Sequence, residues 1–333
     1  MIERYNRQVR YHQFGEYGQS QLQKTHVMIM GAGALGSHSA EMLVRMGVGS
    51  LTVIDMDIVE LSNLHRQALY DELDAEKMLP KVEALKHKLN QINSNVQVIA
   101  IDREITNLNI ENLLSTYHPD IVIDGMDHFK IRYLINESCN KQNIPWIYGA
   151  AVGSKGTVYG IDDQGPCLKC LLETMPSTGE SCAINGVLPP VIYQVASMQV
   201  SELMRWVSGE AFSKKLITID CFNMQYKSMD ISALKQSDCN VCKKHEYTLL
   251  NDKYDNKIEK QCGDMFLLRF NADIFNHTDY LPVTVKKANN FVKLLSYQPY
   301  EITLFKDGRM HVYGVENEGE AEKLYREIGK SLS

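Results

Sequence analysis

One short tract constrains the fold more than any other. Gly31-Ala32-Gly33-Ala34-Leu35-Gly36 lies between the apolar run HVMIM (26–30) and a helical pattern that places Leu35, Met42, Leu43 and Met46 on one side and stops at Gly47. A strand, a glycine loop and a helix in that order bring bare backbone close to a phosphate. The glycines permit a tight turn, and the helix N-terminus adds free N–H groups and the positive end of its dipole. More β-rich runs follow, namely LTVID (51–55), VQVIAI (96–101), DIVID (120–124) and IPWIYG (144–149). Helical stretches separate them, one opening behind Pro80 and running toward Leu89. This alternation predicts an α/β, Rossmann-like, doubly wound and mostly parallel sheet.

The pattern changes near Gly149. AAVGSKGTVYGIDD is small and alternating, and predicts an antiparallel extension of the sheet. PPVIYQVASMQVSELMRWVSG (189–209) begins with prolines, ends in glycine and reads as a long buried helix. LITIDC (216–221) is a further strand, and the polar segment 239–257 reads as a link between domains. MFLLRF, YEITLF, the turn DGR, MHVYG and the helix EGEAEKLYREIG then describe a small C-terminal α+β domain. The predicted domains are 1–248 and 249–333, a division that 333 residues can support.

A formal net charge of -6 argues against a long nucleic-acid footprint. The opening MIERYNRQVRYHQ has no apolar core of a secretory signal, and no stretch approaches a membrane span, so a cytoplasmic protein is expected. Eight cysteines in a reducing compartment do not read as a disulfide framework. Four of them form two CxxC pairs, Cys167-Leu-Lys-Cys170 and Cys239-Asn-Val-Cys242. Four soft thiolates with no open position suit a structural zinc ion. The competing readings are two unrelated pairs or a redox pair, although neither pair is read as opening a helix after a strand in the thioredoxin manner. Cys139 and Cys221 read as core residues, and Cys262 heads the C-terminal domain. Cys182, in the polar stretch ETMPSTGESCAINGVLPP, reads either as an exposed reactive thiol or as a small loop residue.

Asp55 lies 19 residues after Gly36 at the end of the next strand, where an acid can accept hydrogen bonds from ribose hydroxyls. The default for such a motif is a nicotinamide or flavin oxidoreductase. Ser62-Asn63-Leu64-His65-Arg66-Gln67, Lys81 behind Pro80, and Asp127 beyond DIVID argue otherwise. Taken singly, each reads as a solvated charge or a local cap. Together, an Arg, a Lys and an Asp around one nucleotide suit a triphosphate with a metal. A carboxylate attacking an α-phosphate brings two anions together, and cations must neutralise them.

RYNRQ (4–8), GAGALG (31–36), LTVIDMDIVELSNLHRQ (51–67), PKVEA (80–84), Asp127, CLKC (167–170), SCAINGVLPP (181–190) and CNVC (239–242) occur in one order over residues 4–242. As a set they resemble the MoeB/ThiF family, bacterial relatives of the ubiquitin-activating enzymes. The resemblance implies ATP, magnesium and adenylylation of the Gly-Gly C-terminus of a ubiquitin-like sulfur-carrier protein, with pyrophosphate released, in molybdopterin or thiamine biosynthesis. It implies nucleotide contacts from Gly31, Gly33, Ala34, Gly36 and the Ser62, Asn63, Leu64, His65 and Arg66 segment. Asp55 falls on the ribose, Asn63, Arg66 and Lys81 at the phosphates, and Asp127 at the magnesium. Arg7 resembles an arginine that a partner subunit inserts into the neighbouring site, which implies a homodimer. Relatives use a cysteine near Cys182 for covalent chemistry. Two departures stand out. Ala34 replaces a frequent Gly, and His128 stands where Asn usually follows the Asp, so His128 either takes a ribose or magnesium-shell contact or faces solvent. The tail has only Cys262, against a sulfur-transferring rhodanese domain and for a role in partner docking or dimer support. The alternatives are an oxidoreductase on a similar fold and a non-catalytic scaffold for a ubiquitin-like partner.

Overall fold

The computed structural model describes residues 2–172, 186–252, 257–260 and 265–330. The chain divides into two compact units, one of Met1–Glu76 with Pro80–Lys253 and one of Lys77–Leu79 with Tyr254–Ser333.

The first unit is built on an eight-stranded sheet. In chain order its elements are helices α1 (Ile2–Val9) and α2 (Gly15–Leu22), strand β1 (His26–Met30), α3 (Ala34–Met46), β2 (Ser50–Asp55), α4 (Glu72–Glu76), α5 (Lys81–Ile92) and β3 (Gln97–Asp102). They continue as α6 (Ile110–Tyr117), β4 (Ile121–Asp124), α7 (Phe129–Gln142), β5 (Trp146–Val152), β6 (Lys155–Ile161), α8 (Leu168–Leu171), α9 (Pro189–Val207), β7 (Lys215–Asp220), β8 (Gln225–Asp230) and α10 (Thr248–Asn251). The strand order is β3-β2-β1-β4-β5-β6-β7-β8. The first five strands of that order are parallel, and β6, β7 and β8 continue the sheet antiparallel. The apolar runs of β1, β2 and β4 follow from this position, because a parallel strand covered on both faces has no polar side to show. Strand β8 is the reverse case. Gln225–Asp230 is exposed at every position, so its sequence carries no apolar alternation and it escapes the sequence reading.

The chain leaves β1 through α3 to reach β2 on one side, while β4 pairs on the other side. The carboxyl ends of β1, β2 and β4 therefore meet at a topological switch point, where such sheets bind ligands. Two glycines let the strand ends close up there. A Cβ on Gly31 would sit 2.6 Å from the carbonyl oxygen of Gly125, and one on Gly125 would sit 2.5 Å from that of Gly31.

A buried ion pair holds the same ends. Asp124 is fully buried, and its Oδ2 accepts from Arg132 Nε at 3.0 Å. The Arg132 guanidinium also donates to the carbonyl of Gly149 at 2.9 Å and to that of Met126. Gln199 of α9 adds bonds to the carbonyls of Asp124 (2.8 Å) and Ile147 (3.2 Å). This one network ties β4, β5, α7 and α9 together.

At the opposite end of the helices, α1 docks onto the C-termini of α3 and α5. Tyr5 packs where a Gly47 side chain would be, Asn93 Nδ2 donates to the Tyr5 hydroxyl at 2.9 Å, and Gln8 Nε2 donates to the Met46 carbonyl at 2.8 Å.

The second unit is a six-stranded antiparallel sheet, with strands β9 (Ile258–Lys260), β10 (Met265–Arg269), β11 (Thr284–Ala288), β12 (Val292–Tyr297), β13 (Tyr300–Phe305) and β14 (Arg309–Tyr313) in the order β11-β12-β13-β14-β10-β9. Helix α11 (Glu318–Lys330) lays Ala321, Leu324 and Ile328 over Leu268, Leu295, Ile302 and Met310. Among the described residues no helix is long and apolar enough to cross a membrane.

Removing one partner of a buried pair strands the other charge. Arg132→Met is therefore expected to lower the unfolding free energy by about 3–5 kcal/mol. Urea denaturation followed by circular dichroism measures this, and a loss under about 1 kcal/mol would show that water reaches Asp124.

Candidate functional site

The three glycines of the phosphate loop have different reasons to be there. Gly31 has a φ of +99° and abuts Gly125, and a Cβ on Gly36 would lie 1.8 Å from the Gly31 carbonyl oxygen. Those two are required by the fold. Gly33 is not, because the nearest atom to its would-be Cβ is Gln67 Nε2 at 4.0 Å. Gly33 precedes α3, which has no side-chain cap, so the first N–H groups of the helix are left for an external acceptor. Gln67 borders this space. It is only 8% exposed, and its Oε1 has no hydrogen-bond partner among the described residues. A buried carbonyl oxygen without a donor is costly to leave that way. The loop thus offers backbone donors, an absent side chain and an unmet acceptor side by side.

Asp55 organises the next layer. Its Oδ2 accepts from the Ala32 amide at 2.6 Å and its Oδ1 from the Asp57 amide at 2.8 Å. The Tyr70 hydroxyl donates to the Ala32 carbonyl at 2.8 Å and braces the loop from behind. Burial pushes the Asp55 carboxyl above the usual carboxylate range, and Lys81 opposes that shift.

Lys81 opens α5 and is only 6% exposed. Its Nζ lies 2.7 Å from Asp57 Oδ2. Burial alone would lower its pKa, but the carboxylates of Asp57, Asp55 and Asp127 outweigh burial and hold it above the ordinary lysine value. The structure therefore gathers Asp55, Asp57 and Asp127 around the charged amine of Lys81. Asp127 stands in the turn between β4 and α7, with its side chain 65% exposed and Oδ1 3.7 Å from His128 Nε2. His128 occupies the N-cap position of α7, with no capping hydrogen bond from its side chain.

The Ser62–Gln67 segment is locally self-bonded. Asn63 is buried, its Oδ1 accepts from the Glu60 amide at 3.3 Å, and its Nδ2 donates to Ser62 Oγ at 3.3 Å. The Arg66 guanidinium donates to the Ser62 carbonyl at 2.6 Å, while Leu64 is half-buried and His65 exposed. Arg7 is not brought to this group. It is exposed on α1, beside the C-termini of α3 and α5. The phosphate loop is at the other end of α3, and 13 helical residues span about 20 Å.

Asp57 was not singled out by sequence reasoning, and Gln67 entered only as the end of the Ser62–Gln67 run, with no role of its own. Asp57 carried a signal in the paired acids of IDMD, two residues apart and hence on one side of an extended chain.

The two CxxC pairs meet. The Sγ of Cys167 lies 3.9 Å from that of Cys170 and 3.7 Å from that of Cys239, and the Sγ of Cys170 lies 3.5 Å from that of Cys242. All four sulfurs fall within 4.8 Å of one another. A tetrahedral zinc with Zn–S bonds of about 2.3 Å sets the sulfurs about 3.8 Å apart, so the cage fits that ion. The first pair does open a short helical turn, with Cys167 at the N-cap position of Leu168–Leu171, but residues 162–166 separate it from β6, so it does not follow a strand in the thioredoxin manner. Cys221 is corrected too, because it lies half-buried at the start of the β7–β8 turn, whereas Cys139 is fully buried. Cys182 and Cys262 lie outside the described residues.

Comparison with known proteins adds to this. The model of the ThiF family matches residues 5–241. The sulfur carrier protein ThiS adenylyltransferase of Bacillus subtilis is 33% identical over 98% of this chain and 98% of its own length. The molybdopterin-synthase adenylyltransferase of Escherichia coli is 32% identical over 72% of this chain and 95% of its own. Among solved structures, E. coli MccB with ATP superposes with a TM-score of 0.61 at 25% identity, covering 72% of this chain and 74% of that one.

The different demands on the glycines can be separated by substitution. Gly36→Ala is expected to cost at least about 1–3 kcal/mol, because its methyl group would collide with backbone. Gly33→Ala is expected to fold with less than about 1 kcal/mol of loss, because the space beside it is open. Thermal unfolding of the two variants checks this, and equal losses would contradict the distinction.

Proposed function

The chain belongs to the ThiF family, and we propose from that premise that it adenylylates the C-terminal glycine carboxylate of a ubiquitin-like sulfur-carrier protein. The observation that carries this reading is the buried, charged Lys81 among Asp55, Asp57 and Asp127 beside the phosphate loop. Hydride transfer needs no such cation and no free carboxylate at a strand end. A triphosphate with a divalent metal needs both. The relative that spans both units is named for ThiS, which supports a ThiS-like carrier ahead of a MoaD-like one.

In this reading the Gly33 space and the first turn of α3 receive phosphate, and the Asp55 carboxylate takes the ribose hydroxyls. Lys81, Arg66 and Asn63 serve the phosphates, Arg66 by leaving the Ser62 carbonyl and Lys81 by exchanging Asp57 for phosphate oxygen. Asp127 would hold magnesium, which supplies charge neutralisation on the phosphates when bound. The carrier carboxylate attacks the α-phosphorus, an acyl–phosphate bond forms, the bond to the β-phosphate oxygen breaks, and pyrophosphate leaves. His128 is placed beside Asp127 with no proton role.

Arg7 completes the site from a second copy of the chain. In its own chain it is carried at the far end of α3, so cis delivery to the loop would require α1 to undock. A homodimer that sets the docked α1 of each copy against the partner's phosphate loop delivers it without that cost. The four cysteines hold a structural zinc, and the cytoplasm, where thiols stay reduced, suits that cage. Cys182 acts after adenylation, on an acyl group already activated, because a thiolate needs such an acceptor.

ATP–pyrophosphate exchange with a ThiS-like carrier tests the function. Wild type should exchange, Asp127→Ala should not, and Cys182→Ala should retain most of the activity. Exchange by well-folded Asp127→Ala, or none by wild type with any carrier, would overturn the assignment.

The trans role of Arg7 is tested by complementation. Arg7→Ala and Asp127→Ala should each be inactive, yet mixed one to one with full subunit exchange they should regain about a quarter of wild-type activity. That fraction follows because half the dimers are mixed and each mixed dimer holds one intact site. No recovery, with exchange verified by differently tagged chains, would refute the trans site.

A further inference from the structure

We propose that helix α7 is the jig that assembles the four-cysteine site, with Tyr133, Asn136, Glu137 and Asn140 as positioning residues that hold both cysteine arms. The proposal rests on the reading of that site as a zinc cage. The residues are spaced i, i+3, i+4 and i+7, so they form one stripe along the helix.

Two of them grip the first arm. Asn136 is 1% exposed, and its Oδ1 accepts from the Leu168 amide at 2.9 Å, between Cys167 and Cys170. The Tyr133 hydroxyl donates to the Leu172 carbonyl at 2.5 Å, two residues beyond Cys170. The other two grip the second arm just beyond Cys242. Glu137 is 3% exposed, and its Oε2 accepts from the amides of Leu249 and Leu250, each at 3.0 Å. Its Oε1 accepts from the Thr248 hydroxyl at 3.3 Å, and Asn140 Oδ1 accepts from the Tyr247 hydroxyl at 3.0 Å. Lys169 and Lys141 add cation–π contacts to Tyr133 and Tyr247, one on each arm.

The physical need is clear from the chain. The paired cysteines are 72 residues apart, and closing that loop costs conformational entropy. An ion that had to gather both arms itself would spend its binding free energy on that closure. A helix that already holds each arm by buried hydrogen bonds removes the cost, and the ion meets formed geometry. Glu137 is the strongest element. A carboxylate taken so far from water requires donors, and three from one short segment converge on it.

The test is zinc retention by the full chain. Wild type should carry about one zinc by elemental analysis and release it slowly to the chromogenic chelator 4-(2-pyridylazo)resorcinol, as a closed four-thiolate site does. Asn136→Ala and Glu137→Ala should speed transfer about 10–100-fold, the range for losing residues that orient metal ligands. Glu137→Gln keeps a carbonyl acceptor for the two amides and should fall much closer to wild type. Asn140→Ala removes one half-exposed bond and keeps the test available if Glu137→Ala does not fold. It should speed release measurably while circular dichroism stays unchanged. Zinc-holding wild type with variants that release at the same rate would overturn the jig alone. A chain that takes up no zinc would overturn the zinc reading and the jig with it.

Discussion

The close approach of Gly31 and Gly125 is the constraint on which the site depends. Their carbonyls and Cα atoms meet where β1 and β4 end, at distances that no Cβ would permit. Two strand-end turns pressed together leave backbone dipoles crowded above a buried core. The buried Asp124 carboxylate answers that need. It accepts from the Met126 amide at 2.9 Å and from Arg132, and Arg132 passes on to the Gly149 carbonyl. Gly149 in turn must lack a side chain, because Gln199 occupies that position. A buried ion pair is weak support for stability in general. Here each partner also satisfies backbone groups of strand ends, so the pair sets how the two turns meet.

Charge is the second organising principle. Lys81 faces Asp57, Asp55 and Asp127, so one amine stands among three carboxylates. Such a balance favours cations. A free triphosphate would meet carboxylate repulsion, whereas a metal-bound one brings its own counter-charge. Lys81 held by Asp57 at 2.7 Å is at the same time kept protonated and kept in place. Approaching phosphate oxygen has only to replace one carboxylate oxygen, and no long side chain has to be ordered from solvent.

The fold was legible because its central strands announce themselves. HVMIM, LTVID and DIVID are apolar on both sides, and the glycine loop lies between the first of them and its helix. Strand β8 was not legible, because QYKSMD faces solvent on both sides and pairs through backbone alone. In the second unit, β11 is likewise exposed throughout. At the site, residue types were legible but partnerships were not. Lys81 and Asp127 stand out as charges near strand ends, yet Asp57 reads from sequence as an ordinary surface acid. Asp124 and Arg132 were hidden for a related reason. Asp124 closes an apolar run and Arg132 sits in a helix, where both look like solvated charges until the fold buries them. Gly33 could not be told from Gly31 or Gly36 by sequence, because only the packing around each glycine shows which of them leaves space.

Helix α7 brings these threads together. It begins at Phe129, two residues after Asp127, so its first turn sets where that carboxylate stands. Arg132, in the next turn, reaches back to Asp124 and holds the strand end from which Asp127 projects. The stripe through Tyr133, Asn136, Glu137 and Asn140 then takes hold of both cysteine arms. A helix of 14 residues is about 21 Å long, and this one is bonded along nearly its whole length. What holds its far end therefore also fixes the start of the helix, beside which Asp127 stands. The carboxylate just ahead of α7 is exposed, while the body of the helix is fixed by buried contacts of its own. Asp127 itself stands in the turn just ahead of α7, so what anchors it is the start of that fixed helix on one side and the Arg132-held end of β4 on the other.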